Sequence, residues 1–447
     1  MTGEVWLVPT TDPQAEPVCV SPRQEGLAYS VEVAGDQLLI LHDRNCVDFE
    51  LSRVSVDALD SPWTTVIAGV EGVRLAHVAA YASHVVVALR RDGVTGVHVM
   101  KRTPDGFEAG RDVEFDGEFY TVWPRFEADY ETVENRVLYT SLVTPMTTLL
   151  LNLDSLETTV LKQTKVLEDP LQGAYDPSQY VQRREWATAA DGTKIPISLF
   201  HHKEMVLDGS NPCLLYGYGS YESTSDPAFS LRKLACVERG MVFAIAHVRG
   251  GGDMGRRWYN EGKTLHKKNT FSDFVACAQH LIDVGYTQPG RLAAEGRSAG
   301  GLLMGAIANL APELFRAVHA GVAFVDPLTS ITMPELPLTI GEWEEWGDPY
   351  HDPQVYAYMK EYAPYENIDA SRPYPAILAT TSLNDTRVLY VEPAKWIARL
   401  RHELPDDGRD RLLHIEMVAG HGGVSGRYGA WKQDAYELAW LLTEVAS

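Results

Sequence analysis

A mostly parallel α/β sheet with helices on both faces, preceded by an all-β region of repeated short strands, is the fold that the sequence predicts. Three observations predict it. Residues 1–175 carry short Val-, Leu-, Thr- and Tyr-rich runs between turn signals, recurring about every 50 residues. From residue 176 to 447, apolar strand-like runs alternate with amphipathic helical runs. Between one such strand and one such helix stands Gly296-Arg297-Ser298-Ala299-Gly300, a serine framed by two glycines.

In the β region, Leu38-Leu39-Ile40-Leu41, Val85-Val86-Val87-Ala88 and Arg136-Val137-Leu138-Tyr139 each follow a polar turn. Each precedes a second strand-like run: Phe49-Glu50-Leu51-Ser52, Val97-His98-Val99-Met100 and Thr148-Leu149-Leu150-Leu151. Several strands per repeat is how propeller blades read in sequence, and an irregular β-sandwich is the other arrangement with this pattern. Together with Glu4-Val5-Trp6-Leu7-Val8, the repeats amount to about three and a half blades, short of the roughly four to eight in a closed ring.

Beyond residue 176, Asp191-Gly192 between two apolar runs is a hairpin signal. Pro212-Cys213-Leu214-Leu215-Tyr216 and Met241-Val242-Phe243-Ala244-Ile245-Ala246 read as buried strands, and residues 271–284 as a helix stopped by Gly285. Ala376-Ile377-Leu378-Ala379-Thr380 and Leu412-Leu413-His414-Ile415 read as later strands, and residues 430–445 as a last amphipathic helix. In such a sheet, sites form beyond the carboxyl ends of the strands.

The serine stretch has the setting of a nucleophile elbow: a strand, Gly-x-Ser-x-Gly, and a helix whose first amides face the site where negative charge develops. Such a serine needs a base, and the base needs an orienting carboxylate. In α/β-hydrolases the chain order is Ser, Asp or Glu, His. Asp385 and His421 follow strands in that order, in the small-residue loops Ser382-Leu383-Asn384-Asp385 and Ala419-Gly420-His421-Gly422-Gly423. The expected triad is therefore Ser298, Asp385 and His421.

Composition narrows the partners. The chain is 45% hydrophobic and 22% charged, ordinary for a soluble protein. A net charge of −22 argues against nucleic acid and anionic membrane, and favours cationic ligands as well as plain solubility. Five cysteines without metal-ligand spacing read as free thiols in a reducing compartment. The N-terminus carries neither a basic nor an apolar leader segment, so a cytoplasmic protein is expected.

Three stretches, Tyr216-Gly217-Tyr218-Gly219-Ser220-Tyr221, His247-Val248-Arg249-Gly250-Gly251-Gly252 and the elbow, resemble the prolyl oligopeptidase family. Phe324-Val325-Asp326, Gly341-Glu342-Trp343-Glu344-Glu345-Trp346-Gly347 and Glu392-Pro393-Ala394-Lys395-Trp396 are similar to its oligopeptidase B branch. The resemblance is strong from about residue 180 onward and weaker over the β region. It implies an α/β-hydrolase domain joined to a seven-bladed propeller that admits only short peptides. The N-terminal part of such a propeller is then expected to be missing here.

By the same resemblance, the Tyr218 hydroxyl and the Ala299 amide would be the oxyanion donors, and Arg387 would bind the substrate backbone. Glu342 and Glu344 would receive a basic side chain before the scissile bond. Read without the family, Glu342 to Glu345 is a solvated acidic turn. Asp226 matches one of two acidic positions associated with a second basic residue, and the other is Ala228 here.

The expected function is a serine oligopeptidase that cleaves short peptides after Arg or Lys through an acyl-enzyme, as monomer or homodimer, with no metal or organic cofactor implied. The alternatives are an acylaminoacyl peptidase or esterase of the same fold, and a non-catalytic peptide-binding or scaffolding protein or inactive fragment.

Overall fold

The structure, a computed structural model, describes residues 2–104, 106–168 and 173–446. It divides into two compact units. The first comprises Met1–Ala174, Asp226–Ala228 and Met254–Arg257, and the second Tyr175–Ser225, Phe229–Asp253 and Trp258–Ser447. No helix among the described residues is long and apolar enough to cross a membrane.

In the first unit the described strands pair antiparallel, each sheet a meander of consecutive strands. One runs from Tyr29–Ala34 through Gln37–His42 and Glu50–Ser55 to Thr64–Ile67. The next contains Val73–Ala80, His84–Arg91 and Val94–Thr103, and the third runs from Thr121–Arg125 to Thr158–Gln163. Trp6–Leu7 and Val18–Cys19 form a short ladder ahead of them.

The unbroken apolar runs are explained by burial on both faces. Successive side chains of a strand point to opposite sides. Leu39 and Leu41 join Leu51, Val85 and Val87 in one core, while Leu38 and Ile40 join Val20 and Val54 in another. Val86, between Val85 and Val87, belongs to a third core with Val97, Val99, Val122 and Val137. Consecutive meanders stacked through shared cores are the packing of propeller blades, not of a two-sheet sandwich.

The second unit is built on one sheet of eight described strands. In chain order these are β1 (Tyr180–Thr188), β2 (Lys194–His202), β3 (Cys213–Tyr216), β4 (Val242–Ala246), β5 (Leu292–Arg297), β6 (Ala317–Gly321), β7 (Ala376–Ser382) and β8 (Arg411–Glu416). Their order across the sheet is β1-β2-β4-β3-β5-β6-β7-β8. β1, β2 and β4 pair antiparallel, and every later pairing is parallel. Strands β4, β6 and β7 are buried along their whole length, as expected of a sheet covered on both faces.

The helices that bear on the site are α1 (Leu231–Val237), α2 (Lys268–Asp283), α3 (Ala299–Leu310), α4 (Thr339–Trp346), α5 (Val391–Glu403) and α6 (Arg427–Ala446). α2 ends where the sequence says it must: Gly285 takes φ 87°, the left-handed conformation of a C-terminal stop. α3 is apolar on every side, and its residues Ala299 to Ala308 are all buried.

Candidate active site

Four strands deliver side chains to one place, each from its carboxyl end: Tyr218 after β3, Ser298 after β5, Asp385 after β7 and His421 after β8. Ser298 has φ 58° and ψ −118°, a strained conformation for a residue with a side chain. Its amide donates to the Gly321 carbonyl at 2.8 Å, and its carbonyl accepts the Gly301 amide at 2.8 Å. The flanking glycines are required by close approach. A Cβ on Gly296 would lie 2.3 Å from the Gly300 carbonyl oxygen, and one on Gly300 would lie 2.8 Å from that of Gly217.

His421 Nε2 lies 3.0 Å from Ser298 Oγ, and His421 Nδ1 lies 2.7 Å from Asp385 Oδ2. With its proton on Nδ1, the ring donates to the carboxylate and leaves Nε2 to accept the serine hydroxyl. The other Asp385 oxygen accepts the amides of Arg387 and Val388 at 2.9 and 3.0 Å. Burial pushes the Asp385 carboxyl up, but the hydrogen bond from His421 and these two amides outweigh it and hold it below its ordinary value. The loops carrying Asp385 and His421 are stapled together. The Asn384 amide donates to the Ala419 carbonyl at 3.3 Å, and its side chain to the Val418 carbonyl at 3.0 Å.

The Ala299 amide opens α3, where the helix dipole favours negative charge. Burial, helped by Tyr216, Glu345 and Glu342, pushes the Tyr218 phenol up to about 12, opposed by an interaction with the Ser298 hydroxyl. Tyr218 therefore stays protonated at neutral pH and is a donor. Tyr218→Phe should lower kcat by roughly a hundred- to a thousandfold, the usual loss for one oxyanion donor, with the melting midpoint little changed. Steady-state kinetics alongside a thermal melt checks both.

Sequence reasoning missed the support beneath this loop. The Lys267 ammonium, on a side chain only 1% exposed, donates to the Gly219 carbonyl and the Ser220 hydroxyl, both at 2.6 Å. It lies 3.7 Å from Glu345, whose carboxylate also accepts the Tyr221 amide at 3.1 Å and the Tyr259 hydroxyl at 2.8 Å. Burial pulls the Lys267 ammonium down to about 8, with Glu345 opposing.

The Gly-Glu-Trp-Glu-Glu-Trp-Gly stretch is not a turn. It lies largely in α4, and residues two apart on a helix do not face each other. The structure accordingly separates Glu342 from Glu344. Glu342 lines the Ser298 cavity and accepts the Tyr221 hydroxyl at 2.6 Å and the Trp346 indole at 2.9 Å. Glu344 is exposed and is not among the cavity-lining residues; the buried member of the run is Glu345. The signal that would have found Glu345 is its three-residue spacing from Glu342, one helical face.

Arg387 is exposed and lines the cavity. Asp226 is not brought to it. Asp226 belongs to the first unit, where the two terminal guanidinium nitrogens of Arg90 hold its carboxylate, at 2.7 and 3.0 Å. The cavity has a volume of about 490 Å³, and the triad serine and histidine share its wall with Phe324, Leu336, Pro337 and Val388. Behind the elbow, the buried Glu295, His319 and Glu437 have metal-like spacing, but arginines already occupy their oxygens. Arg232 grips Glu295 at 2.6 and 2.5 Å, and Arg297 reaches Glu437 at 3.3 Å.

Comparison with known proteins gives two family matches. Residues 227–447 match the model of the prolyl oligopeptidase family, and residues 1–164 match that of its N-terminal beta-propeller domain. Protease 2 of Moraxella lacunata is 41% identical over 99% of this chain and 62% of its own length. Dipeptidyl aminopeptidase BI of Pseudoxanthomonas mexicana is 37% identical over 100% of this chain and 60% of its own. The structure of oligopeptidase B from Leishmania major superposes with a TM-score of 0.94 at 38% identity, covering 100% of this chain and 62% of that one. The chain thus spans about three fifths of the length of these relatives.

Proposed function

The chain belongs to the prolyl oligopeptidase family, and from that premise we propose that it is a serine oligopeptidase hydrolysing short peptides on the carboxyl side of Arg or Lys. The observation that carries this reading is His421, set 3.0 Å from the Ser298 hydroxyl and 2.7 Å from the Asp385 carboxylate, on a cavity that also holds the Glu342 carboxylate.

Ser298 Oγ attacks the scissile carbonyl carbon while His421 Nε2 takes its proton. The Tyr218 hydroxyl and Ala299 amide receive the oxyanion. As the C–N bond breaks, the proton on His421 passes to the leaving amine, and Ser298 keeps the acyl group. A water then gives a proton to His421 and attacks the ester, and as the bond from Ser298 Oγ to the acyl carbon breaks, His421 returns that proton to Ser298 Oγ and the peptide acid leaves. Asp385 holds the ring in the tautomer this needs and steadies the imidazolium that forms.

Support for a basic side chain comes from the lining. Phe324, Leu336, Pro337, Leu338 and Val388 suit an aliphatic stem, and Glu342 suits a cationic end. A cytoplasmic setting belongs to the same proposal and rests on the five unpaired cysteines. A second reading, removal of dipeptides from a free N-terminus, has in its favour the likeness to dipeptidyl aminopeptidase BI. Reporter peptides ending in Arg, Lys or Phe, each with a free and a blocked N-terminus, separate the two. Turnover of the blocked Arg reporter supports the endopeptidase. Turnover of free-amine dipeptide reporters alone favours the second reading.

A further inference from the structure

The cavity that Glu344 does not reach contains another carboxylate. Glu392, one residue into α5, lines the same wall set as Ser298, Glu342 and His421. It is 3% exposed, and its two hydrogen-bond donors among the described residues are neutral. The Ser330 hydroxyl donates to one oxygen at 2.6 Å and the Asp326 amide to the other at 2.9 Å. The ammonium closest in chain, Lys395, is engaged by the Asp326 carboxylate. A carboxylate offers roughly four acceptor positions, so about two remain beyond these bonds.

A buried carboxylate with neutral partners is expensive to ionise, and a cation entering its cavity removes that cost. We propose that Glu392 is the second carboxylate of the specificity pocket, and that with Glu342 it receives the cationic end of the substrate side chain. This rests on the peptidase reading above and adds a residue to it. A guanidinium has five donors in a planar fork and can serve two carboxylates at once, whereas an ammonium is a point charge. The two-carboxylate pocket therefore ranks Arg above Lys.

The setting of Glu392 gives a test that needs no substitution. Burial pushes its carboxyl up to about 7, with the Asp326 charge adding and Ser330, the Asp326 amide and Lys395 opposing. Among the described residues, Glu366 interacts with Asp326 and Lys395, and Glu342, Arg387 and His421 share the cavity wall with Glu392. The proposed Ser298–His421 chemistry is common to every substrate, so the readout is the ratio of kcat/KM for an Arg reporter to that for a Phe reporter. As pH rises through about 7, Glu392 ionises and attracts the guanidinium, so this ratio should rise by about tenfold.

In Glu392→Gln the ratio should be flat with pH and lower than wild type by at least about tenfold at alkaline pH, whereas Glu392→Asp, which keeps the charge, should recover part of the rise. Fluorophosphonate labelling counts intact sites in each variant. A pH-independent wild-type ratio, or equal losses for Arg and Phe in Glu392→Gln, overturns the proposal. The two readings fail differently. A wild type that never prefers Arg sinks the basic specificity and Glu392 with it. A preference lost in Glu342→Gln but kept in Glu392→Gln sinks Glu392 alone.

Discussion

Ser298→Ala should abolish labelling by a fluorophosphonate probe and lower kcat by roughly a millionfold, the scale seen when a triad serine is lost. The expectation rests on three features that converge: the strained serine at φ 58°, the 3.0 Å approach of His421 Nε2 and the 2.7 Å bond from Nδ1 to Asp385. In the proposed mechanism these residues act as one unit. Adding His421→Ala to Ser298→Ala should therefore cost little more, because the base has no hydroxyl left to activate. Asp385→Asn should cost roughly ten-thousandfold by favouring the wrong tautomer. Intact-protein mass spectrometry reads the adduct, and a reporter peptide reads turnover. An adduct on Ser298→Ala at the wild-type rate would move the nucleophile to another residue.

Glu342→Gln should lower the Arg-to-Phe ratio of kcat/KM by at least about a hundredfold. Among the described residues, both hydrogen-bond partners of the Glu342 carboxylate, the Tyr221 hydroxyl and the Trp346 indole, are neutral. In the proposed function a substrate cation would pair with it. Removing one member of a desolvated pair costs roughly 3–5 kcal/mol, or two to three and a half decades, whereas an exposed pair loses less than about tenfold. Glutamine keeps the shape and an acceptor for Tyr221, so the change isolates the charge. Glu344→Gln, on the exposed side of α4, should shift the ratio by less than about twofold. Arg, Lys and Phe reporters on both variants make the comparison. Equal losses for all three in Glu342→Gln would assign Glu342 to the fold, and no loss would assign it to the solvent.

The grouping of Ser298, Asp385 and His421 was legible in the sequence because its constraints are largely local. Gly296 is held by the Gly300 carbonyl four residues on, the Gly-x-Ser-x-Gly spacing marks both glycines although Gly300 meets the distant Gly217 carbonyl, and the order of Ser298, Asp385 and His421 follows from strands read one at a time. The stop at Gly285 was legible for the same reason. The pocket was less so. Whether Glu342 and Glu344 share a face depends on whether their run is a turn or a helix, and an acidic, Trp-rich stretch between glycines supports either. Asp226 finds its partner Arg90 from 136 positions away, a pairing that no local pattern encodes. Lys267, Glu345 and Glu392 went unread because charged residues are rarely fully buried, and only the packed structure reveals which ones are.

The ammonium of Lys267 ties together two stretches that lie far apart in the chain. It grips the Gly219 carbonyl and the Ser220 hydroxyl next to Tyr218, and stands 3.7 Å from Glu345, one helical turn from Glu342. Because Glu345 also takes the Tyr221 amide, loop and helix are bonded to each other at more than one point. On the proposed reading, a side chain that seats badly against Glu342 should tilt Tyr218 away from the carbonyl it would polarise. Mismatched peptides would dwell on the enzyme and leave slowly cleaved, acting as brakes on the flow of better ones. The kinetic signature is a poor substrate whose KM nearly equals that of a good one while its kcat collapses.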